Sequence, residues 1–481
     1  MTAPVTLPLW LFLLLLALAL VAALQWLLLP GVRWYFRRKV RRVLDEIQLR
    51  LKIDLPQFKL TRRRALIDRL MNDPRVLATA QQHALESGSP QALVMRKVLV
   101  YAREIVPAFN AYVYFRVGYW LAKTFARLVY RVRLGYTDDA AIAAINPKST
   151  VVFVMNHRSN MDYVLVSFLA AERVALSYAV GEWARIWPLQ GLIRAMGAYF
   201  VRRNSGDPLY RMVLQRYVQM ATEGGVPQAM YPEGGLSIDG RLRDPKLGLL
   251  DYMLKGFNPD GERDLVFIPV GINYDRVIED RSLLRKLDAA APRSGLLRTL
   301  RIAGGYLARQ AFFTLVGRRY RYGYACVNFG RPVSMREHVR AQGLDFRVLA
   351  DLPRRDAVAA VGALLMRQIG RTVPILPVPL VAHVLLRDLQ RAWSELELKA
   401  AVLQLMQDAE ARGAHVYVPR SDRDYAIGVG LRMLTLRHLA LEQDDLLRPN
   451  PAETRVLAYY ANSIAHLFDA TEMETGPAGP V

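Results

Sequence analysis

Apolar positions along the 481-residue chain fall into runs of different length, and each length predicts a different element. Residues 9–29 read LWLFLLLLALALVAALQWLLL, with Gln25 as the one clearly polar position. Twenty-one residues at a helical rise of 1.5 Å cover about 30 Å, the thickness of a hydrocarbon core. Only a helix closes its own backbone hydrogen bonds across that distance. Pro30 and Gly31 break the run, and Arg33, Arg37, Arg38, Lys39, Arg41 and Arg42 follow. No charge precedes the span. The positive-inside bias therefore predicts an N-terminal transmembrane helix in the inner (cytoplasmic) membrane, with the bulk of the chain facing the cytoplasm. A cleaved signal peptide is the alternative, but it calls for a basic leader and a shorter apolar core.

Shorter apolar runs predict buried strands. Residues 151–155 read VVFVM and give way to polar NHRSN, as a strand delivering a loop would. Asp162 opens a regular segment over 163–171 that reads as helix. Further strands are expected at 175–179, 229–231, 265–270 and 325–329. Strands separated by helical stretches predict an α/β fold, an open, mostly parallel or mixed sheet flanked by helices, with functional loops leaving the strand ends. Beyond residue 380 the patterns over 384–411 and 455–468 are helical. The resulting division is an anchor over 1–33, a helical, partly membrane-interfacial region over 34–137, an α/β domain over 138–371, a helical C-terminal domain over 372–470 and a loose tail over 471–481. Residues 96–133 interleave Tyr112, Tyr114, Phe115 and Trp120 with Arg116, Lys123 and Arg127. They suit a lipid interface or an ordinary packed layer equally well. Residues 296–320 are a second such stretch.

Composition narrows the partners. Lys and Arg outnumber Asp and Glu by 65 to 43, a formal charge of +22, which draws a polyanion or an anionic membrane surface. No paired zinc-ligand cysteines and no RNP-like strand support nucleic acid as a partner. Cys326 is the single cysteine, so no internal disulfide framework forms.

The chemistry centres on Asn156-His157-Arg158-Ser159-Asn160-Met161-Asp162. A turn between the strand and the helix can fold Asp162 back onto the His157 ring. The carboxylate would then set the tautomer and leave the other nitrogen to take a proton from an alcohol. By itself the pair is equally a satisfied structural histidine. Three further blocks add to it. Gly197-Ala198-Tyr199-Phe200-Val201-Arg202-Arg203 ends in two arginines that can clamp phosphate or simply face solvent. Tyr231-Pro232-Glu233-Gly234-Gly235 sets a carboxylate and two glycines at a strand exit, for polyol binding or for a plain turn. Phe267-Ile268-Pro269-Val270-Gly271-Ile272 repeats the strand-then-turn arrangement, with Pro269 shaping a wall.

In this order the four blocks resemble the motifs of the glycerolipid acyltransferases, above all the glycerol-3-phosphate acyltransferases. The likeness extends from Tyr101-Ala102-Arg103-Glu104-Ile105 to Tyr459-Tyr460-Ala461-Asn462-Ser463-Ile464-Ala465-His466-Leu467-Phe468, with Gly240-Arg241 and Pro245-Lys246-Leu247-Gly248 in the third block. The resemblance implies a donor, acyl-CoA or acyl carrier protein, and a phosphorylated glycerol acceptor taking the acyl group at its sn-1 hydroxyl. It implies His157 as base and Asp162 as its partner. It offers Arg158, Arg202, Arg203, Glu233 and Gly234 as acceptor contacts, with no cofactor and no metal. Larger family members carry Gly-Gly-Arg-Ser-Arg in the third block, where this chain has Leu236 and Ile238. Arg241, Arg243 or Lys246 would then compensate, or the acceptor is 1-acylglycerol 3-phosphate, whose added chain suits an apolar wall. A non-catalytic lipid-binding protein and a thioester hydrolase are the rival functions.

Overall fold

A computed structural model describes residues 56–170, 175–181, 189–202, 205–287 and 322–468. An eight-stranded mixed sheet is built from β1 (Arg131–Thr137), β2 (Thr150–Met155), β3 (Ser177–Val180), β4 (Tyr199–Phe200), β5 (Gln228–Met230), β6 (Leu265–Tyr274), β7 (Tyr324–Phe329) and β8 (Val333–Ser334). The strands lie in the order β1-β7-β6-β2-β5-β3-β4, with β8 also on β6. From β6 to β4 neighbouring strands are parallel. β7 and β8 run antiparallel to β6, and β1 is parallel to β7.

The continuous apolar runs have a simple cause. Successive side chains of a strand point to opposite faces. Phe153 and Met155 enter one hydrophobic cluster, while Val152 and Val154 enter another. Ile268 and Phe267 on β6 divide the same way, and all ten residues of β6 are buried. Both faces are covered, so both sets of positions must be apolar.

Helix α1 (Gln91–Ile105) buries Val94, Val98, Ala102 and Ile105, one stripe at helical spacing, in the second cluster. Helix α2 (Met161–Ala170) follows β2 directly, and α3 (Asp351–Thr372) packs on β6. The backbones approach so closely there that a Cβ on Gly271 would lie 2.2 Å from the Thr372 carbonyl oxygen. Helices α4 (Pro377–Arg387) and α5 (Thr454–Ala465) pack against each other in the first cluster.

Several expectations are corrected. The anticipated transmembrane helix over 9–29 lies outside the described residues, and among the described residues no helix is long and apolar enough to cross a membrane. The spanning helix, and the inner-membrane location inferred from it, therefore drop out of the fold description. The longest described helix, α3, shows the physical reason: it carries Asp351, Arg354, Arg355, Asp356, Arg367 and Arg371 along its length. The expected interfacial stretch over 296–320 also lies outside the described residues. Within 96–133, the helix Tyr119–Val129 buries Ala122, Ala126 and Val129 in the core and leaves Trp120 62% exposed.

The helical pattern over 384–411 is broken. It spans the end of α4, a short strand β9 (Trp393–Ser394) and the helix Glu395–Ala411. Ser394 and Glu397 form a capping box that restarts the helix. β9 joins β10 (Ala440–Gln443) and β11 (Leu446–Pro449) in a small antiparallel sheet within a region read as wholly helical. The turn anticipated after Val270 is also absent, because β6 continues through Gly271 to Tyr274.

Candidate active site

Register brings three strand ends together. Met155 pairs with Val270 and Val154 with Met230, so the loops after β2 and β5 leave the same end of the sheet beside β6. The Asn156 side chain prolongs this ladder. Its amide donates to the Ile272 carbonyl at 2.9 Å, and its oxygen accepts from the Ile272 N–H at 2.8 Å. His157 is the next residue.

The loop then folds Asp162 onto the imidazole. Nδ1 of His157 lies 2.9 Å from Oδ2 of Asp162, which also accepts the backbone N–H groups of Arg158 at 2.7 Å and Ser159 at 3.0 Å. The Tyr274 hydroxyl donates to the other oxygen, Oδ1. Asp162 is fully buried in the first turn of α2, and these four donors replace its hydration. An ionised carboxylate only accepts, so Nδ1 carries the proton and Nε2 is left as an acceptor. Nε2 makes no hydrogen bond among the described residues. The ring stacks on Tyr231 at 3.9 Å and meets the edge of Tyr163, leaving only 3% of His157 exposed. His157 lies in the wall of none of three cavities found among the described residues.

Glu233 and Arg158 stand beside this pair. Oε1 of Glu233 accepts the His157 N–H at 2.9 Å, while Oε2 is buried and unpartnered. Burial pushes the Glu233 carboxyl up to about 8, against the opposing pull of the His157 N–H and of Arg158. Arg158 is buried over the Tyr459 ring, at 4.9 Å, and its Nη1 donates to the Gly240 carbonyl. Its Nε and Nη2 are buried without partners. Buried polar atoms are rarely left this way unless something else meets them.

The third block wraps around Glu233. Gly234 has φ +66, and a Cβ there would fall 2.8 Å from the Lys246 stem, so this glycine lets Lys246 close over the loop. Lys246 and Arg241 are exposed at its rim and make no ion pair among the described residues. Leu236 and Ile238 are half-buried against the first core cluster. Helix α5 braces the far side: Asn462 donates to the Asp239 carbonyl at 2.9 Å.

The second block is placed differently. β4 lies three strands from β2, about 14 Å at the usual spacing. Arg202 forms a two-point ion pair with Glu104 of α1, Nε to Oε1 at 2.9 Å and Nη2 to Oε2 at 2.6 Å. The structure therefore does not bring Arg202 to His157. Arg203 lies outside the described residues.

Sequence reasoning passed over Asn156, Tyr274 and Glu279 as parts of the site. Glu279 accepts from the Ser159 hydroxyl at 2.7 Å and from the Asn160 N–H, clamping the loop from outside. No motif points to it. Cys326 is buried in β7 with its thiol pushed up to about 12 by burial, a structural group. Among the described residues no group of three or more His, Cys, Asp or Glu could hold a metal ion.

Two family profiles match the chain. One described as acyltransferase covers residues 139–273, and one described as glycerol-3-phosphate acyltransferase C-terminal region covers 312–470. The chain is similar to the glycerol-3-phosphate acyltransferase of Pseudomonas entomophila (strain L48), 27% identical over 426 residues, 85% of this chain and 49% of the relative. It is also similar to that of Xylella fastidiosa (strain 9a5c), 26% identical over 447 residues, 90% of this chain and 50% of the relative. The chain thus spans about half the length of the curated relatives it matches. Of solved structures, a 1-acyl-sn-glycerophosphate acyltransferase from Thermotoga maritima aligns with TM-score 0.30 and 16% identity, covering 53% of this chain and 79% of that one, too slight a likeness to carry an argument. Both profiles and these relatives make the chain similar to the glycerol-3-phosphate acyltransferases, with residues 312–470 matching the C-terminal region of that family.

Proposed function

We propose that the chain transfers a fatty acyl group from a thioester, on coenzyme A or acyl carrier protein, to the sn-1 hydroxyl of glycerol 3-phosphate. The buried His157–Asp162 pair carries this reading, because it leaves Nε2 as the one ring nitrogen able to take a proton. In this reading Nε2 removes the proton of the acceptor hydroxyl while that oxygen attacks the thioester carbonyl. A C–O bond forms, the carbon becomes tetrahedral, and its collapse breaks the C–S bond. The departing thiolate takes the proton back from His157, whose cationic form Asp162 has stabilised.

The unpartnered donors of Arg158 and Oε2 of Glu233 support an acceptor pocket for phosphate and polyol beside the ring. Gly234, Arg241 and Lys246 form its rim in this reading. A second acceptor, 1-acylglycerol 3-phosphate, is favoured by one observation: the half-buried Leu236 and Ile238 offer apolar surface next to Glu233. A charge of +22 supports contact with an anionic lipid surface, where either product would be released.

The test is an acyl-transfer assay on the purified full chain, crossing both donors with both acceptors and reading the acylated position. Acceptor-dependent thiol release with 1-acyl product is expected. His157→Ala should lower transfer at least about 100-fold with unchanged circular dichroism. Thiol release without acceptor would identify a hydrolase instead.

A further inference from the structure

A cavity of about 540 Å³ opens at the same end of the sheet as His157, two strands further across. Arg127, Arg131, Arg133 and Arg420 line it. All four are exposed, and none makes an ion pair with a carboxylate among the described residues. Their partners are aromatic instead. Arg133 Nε donates to the Tyr417 hydroxyl at 3.0 Å, Arg127 lies 5.4 Å from the Phe168 ring, and Arg131 lies 5.6 Å from the Tyr324 ring. Asp275 lies beneath, but its oxygens accept the backbone N–H groups of Tyr324 and Val378, and burial pushes it up to about 7. Four guanidinium groups lining one recess with no carboxylate paired to them repel one another, and a bound anion reverses that sign.

Backbone strain is found at the rim. Arg420 and Ser421 are consecutive non-glycine residues with φ of +59 and +55. Such a conformation is unfavourable for a residue with a side chain, and it persists where surrounding structure holds it, most often at functional sites. Here it sets Arg420 on the cavity wall, over the Tyr425 ring at 4.3 Å.

The cavity is tied physically to the catalytic pair. Phe168 in its wall is six residues along α2 from Asp162, about 9 Å at the helical rise. Tyr130, also in the wall, packs its ring 5.2 Å from that of Tyr274, whose hydroxyl holds Asp162. The register explains the proximity: Tyr274 pairs with Ala325, and Tyr324 with Arg131, at one end of the sheet.

Volume and lining select the ligand. The size suits a small molecule, and guanidinium groups with ring faces suit a planar base carrying phosphates. A lipid headgroup offers phosphate without a base, and a carrier protein docks on a broad surface rather than inside a recess. We propose that this cavity binds the phosphorylated adenosine end of a coenzyme A thioester. The pantetheine arm would then run along α2 to deliver the carbonyl at His157. This assignment rests on the acyl-transfer reading above and makes the nucleotide-bearing thioester the donor.

The probe is adenosine 3′,5′-bisphosphate, titrated calorimetrically into the purified full chain and into Arg131→Gln and Arg420→Asn. Asparagine is chosen at 420 because it tolerates the left-handed conformation. The expected result is saturable binding weakened at least about tenfold in each variant, as loss of a charged contact to phosphate predicts. The KM for acyl-CoA should rise in parallel, and the KM for an acyl-pantetheine thioester lacking the nucleotide should stay unchanged. Equal affinity for inorganic phosphate, or variants impaired only with acyl carrier protein or only in binding phosphatidylglycerol vesicles, overturns the proposal. Transfer that persists with an unaltered acyl-CoA KM in both variants overturns it too, while leaving the acyl-transfer reading intact. Arginine-dependent bisphosphate binding without any acyl transfer does the reverse: the cavity stands and that reading falls.

Discussion

The hydroxyl of Tyr274 donates to Oδ1 of Asp162 at 2.5 Å, on the side of the carboxylate opposite His157. A residue at the end of β6 thereby steers the imidazole through an intermediary. The tyrosine is buried, and burial together with the neighbouring carboxylate raises its pKa far above the ordinary value, so it stays a donor. Tyr274→Phe removes that donor and leaves Oδ1 unpaired. A hydrogen bond to a charged group is worth about 1.5–3 kcal/mol, so kcat should fall by about 10- to 100-fold with acceptor KM little changed. Steady-state kinetics on the folded variant check this, and an unchanged kcat removes Tyr274 from the mechanism.

Glu233 predicts a pH dependence of stability. Its folded value of about 8 lies above that of an unfolded glutamate, so the native state binds the extra proton between those values. Its stabilising contribution is complete below about pH 4.5 and is lost as pH rises through 8. Asp275, pushed up to about 7, acts in the same direction. Denaturant midpoints should fall between pH 5 and 8.5, and Glu233→Gln should make that slope shallower. Equal slopes in the two proteins would contradict a buried, protonated Glu233.

The Arg202–Glu104 pair predicts a division between stability and substrate binding. Arg202 is one-third exposed, so solvent screens the pair, and a double-mutant cycle should give a coupling of about 1 kcal/mol or less. Arg202→Gln should leave acceptor KM within about twofold, since a guanidinium three strands from His157 and already paired is poorly placed for phosphate. A tenfold rise in acceptor KM would restore the phosphate-clamp role.

Gly240 has φ +92, and a Cβ there would fall 2.0 Å from the Tyr459 carbonyl oxygen. Gly240→Ala must push α5 away from the loop that holds Arg158. A destabilisation of about 2–4 kcal/mol is expected, from strain and lost packing together. Chemical denaturation measures it, and a neutral substitution would show that the contact is dispensable.

Much of the site was legible because its partners are close in sequence. His157 and Asp162 are five residues apart, and a strand followed by a helix leaves few ways to connect them other than the turn observed. Apolar runs at 151–155, 265–270 and 325–329 announced β2, the first part of β6 and β7, since both faces of the sheet are covered. The small sheet of β9, β10 and β11 did not, because strands of two to four residues are too short to establish a period. The long apolar run at 9–29 supported a spanning helix on hydropathy alone, and the described residues contain none.

Local order therefore belongs to the sequence: the strand that ends before His157, the helix that carries Asp162 in its first turn, and the glycines where chain must meet chain. Tertiary structure alone decided which charges find each other. It gave Arg202 to Glu104, left Arg158 with buried donors, and gathered four arginines from β1, from the helix before it and from a turn near residue 420 into one recess. The reason is range. A backbone preference is settled within a few residues, whereas an ion pair or its absence depends on groups that only the folded sheet brings within a few ångströms.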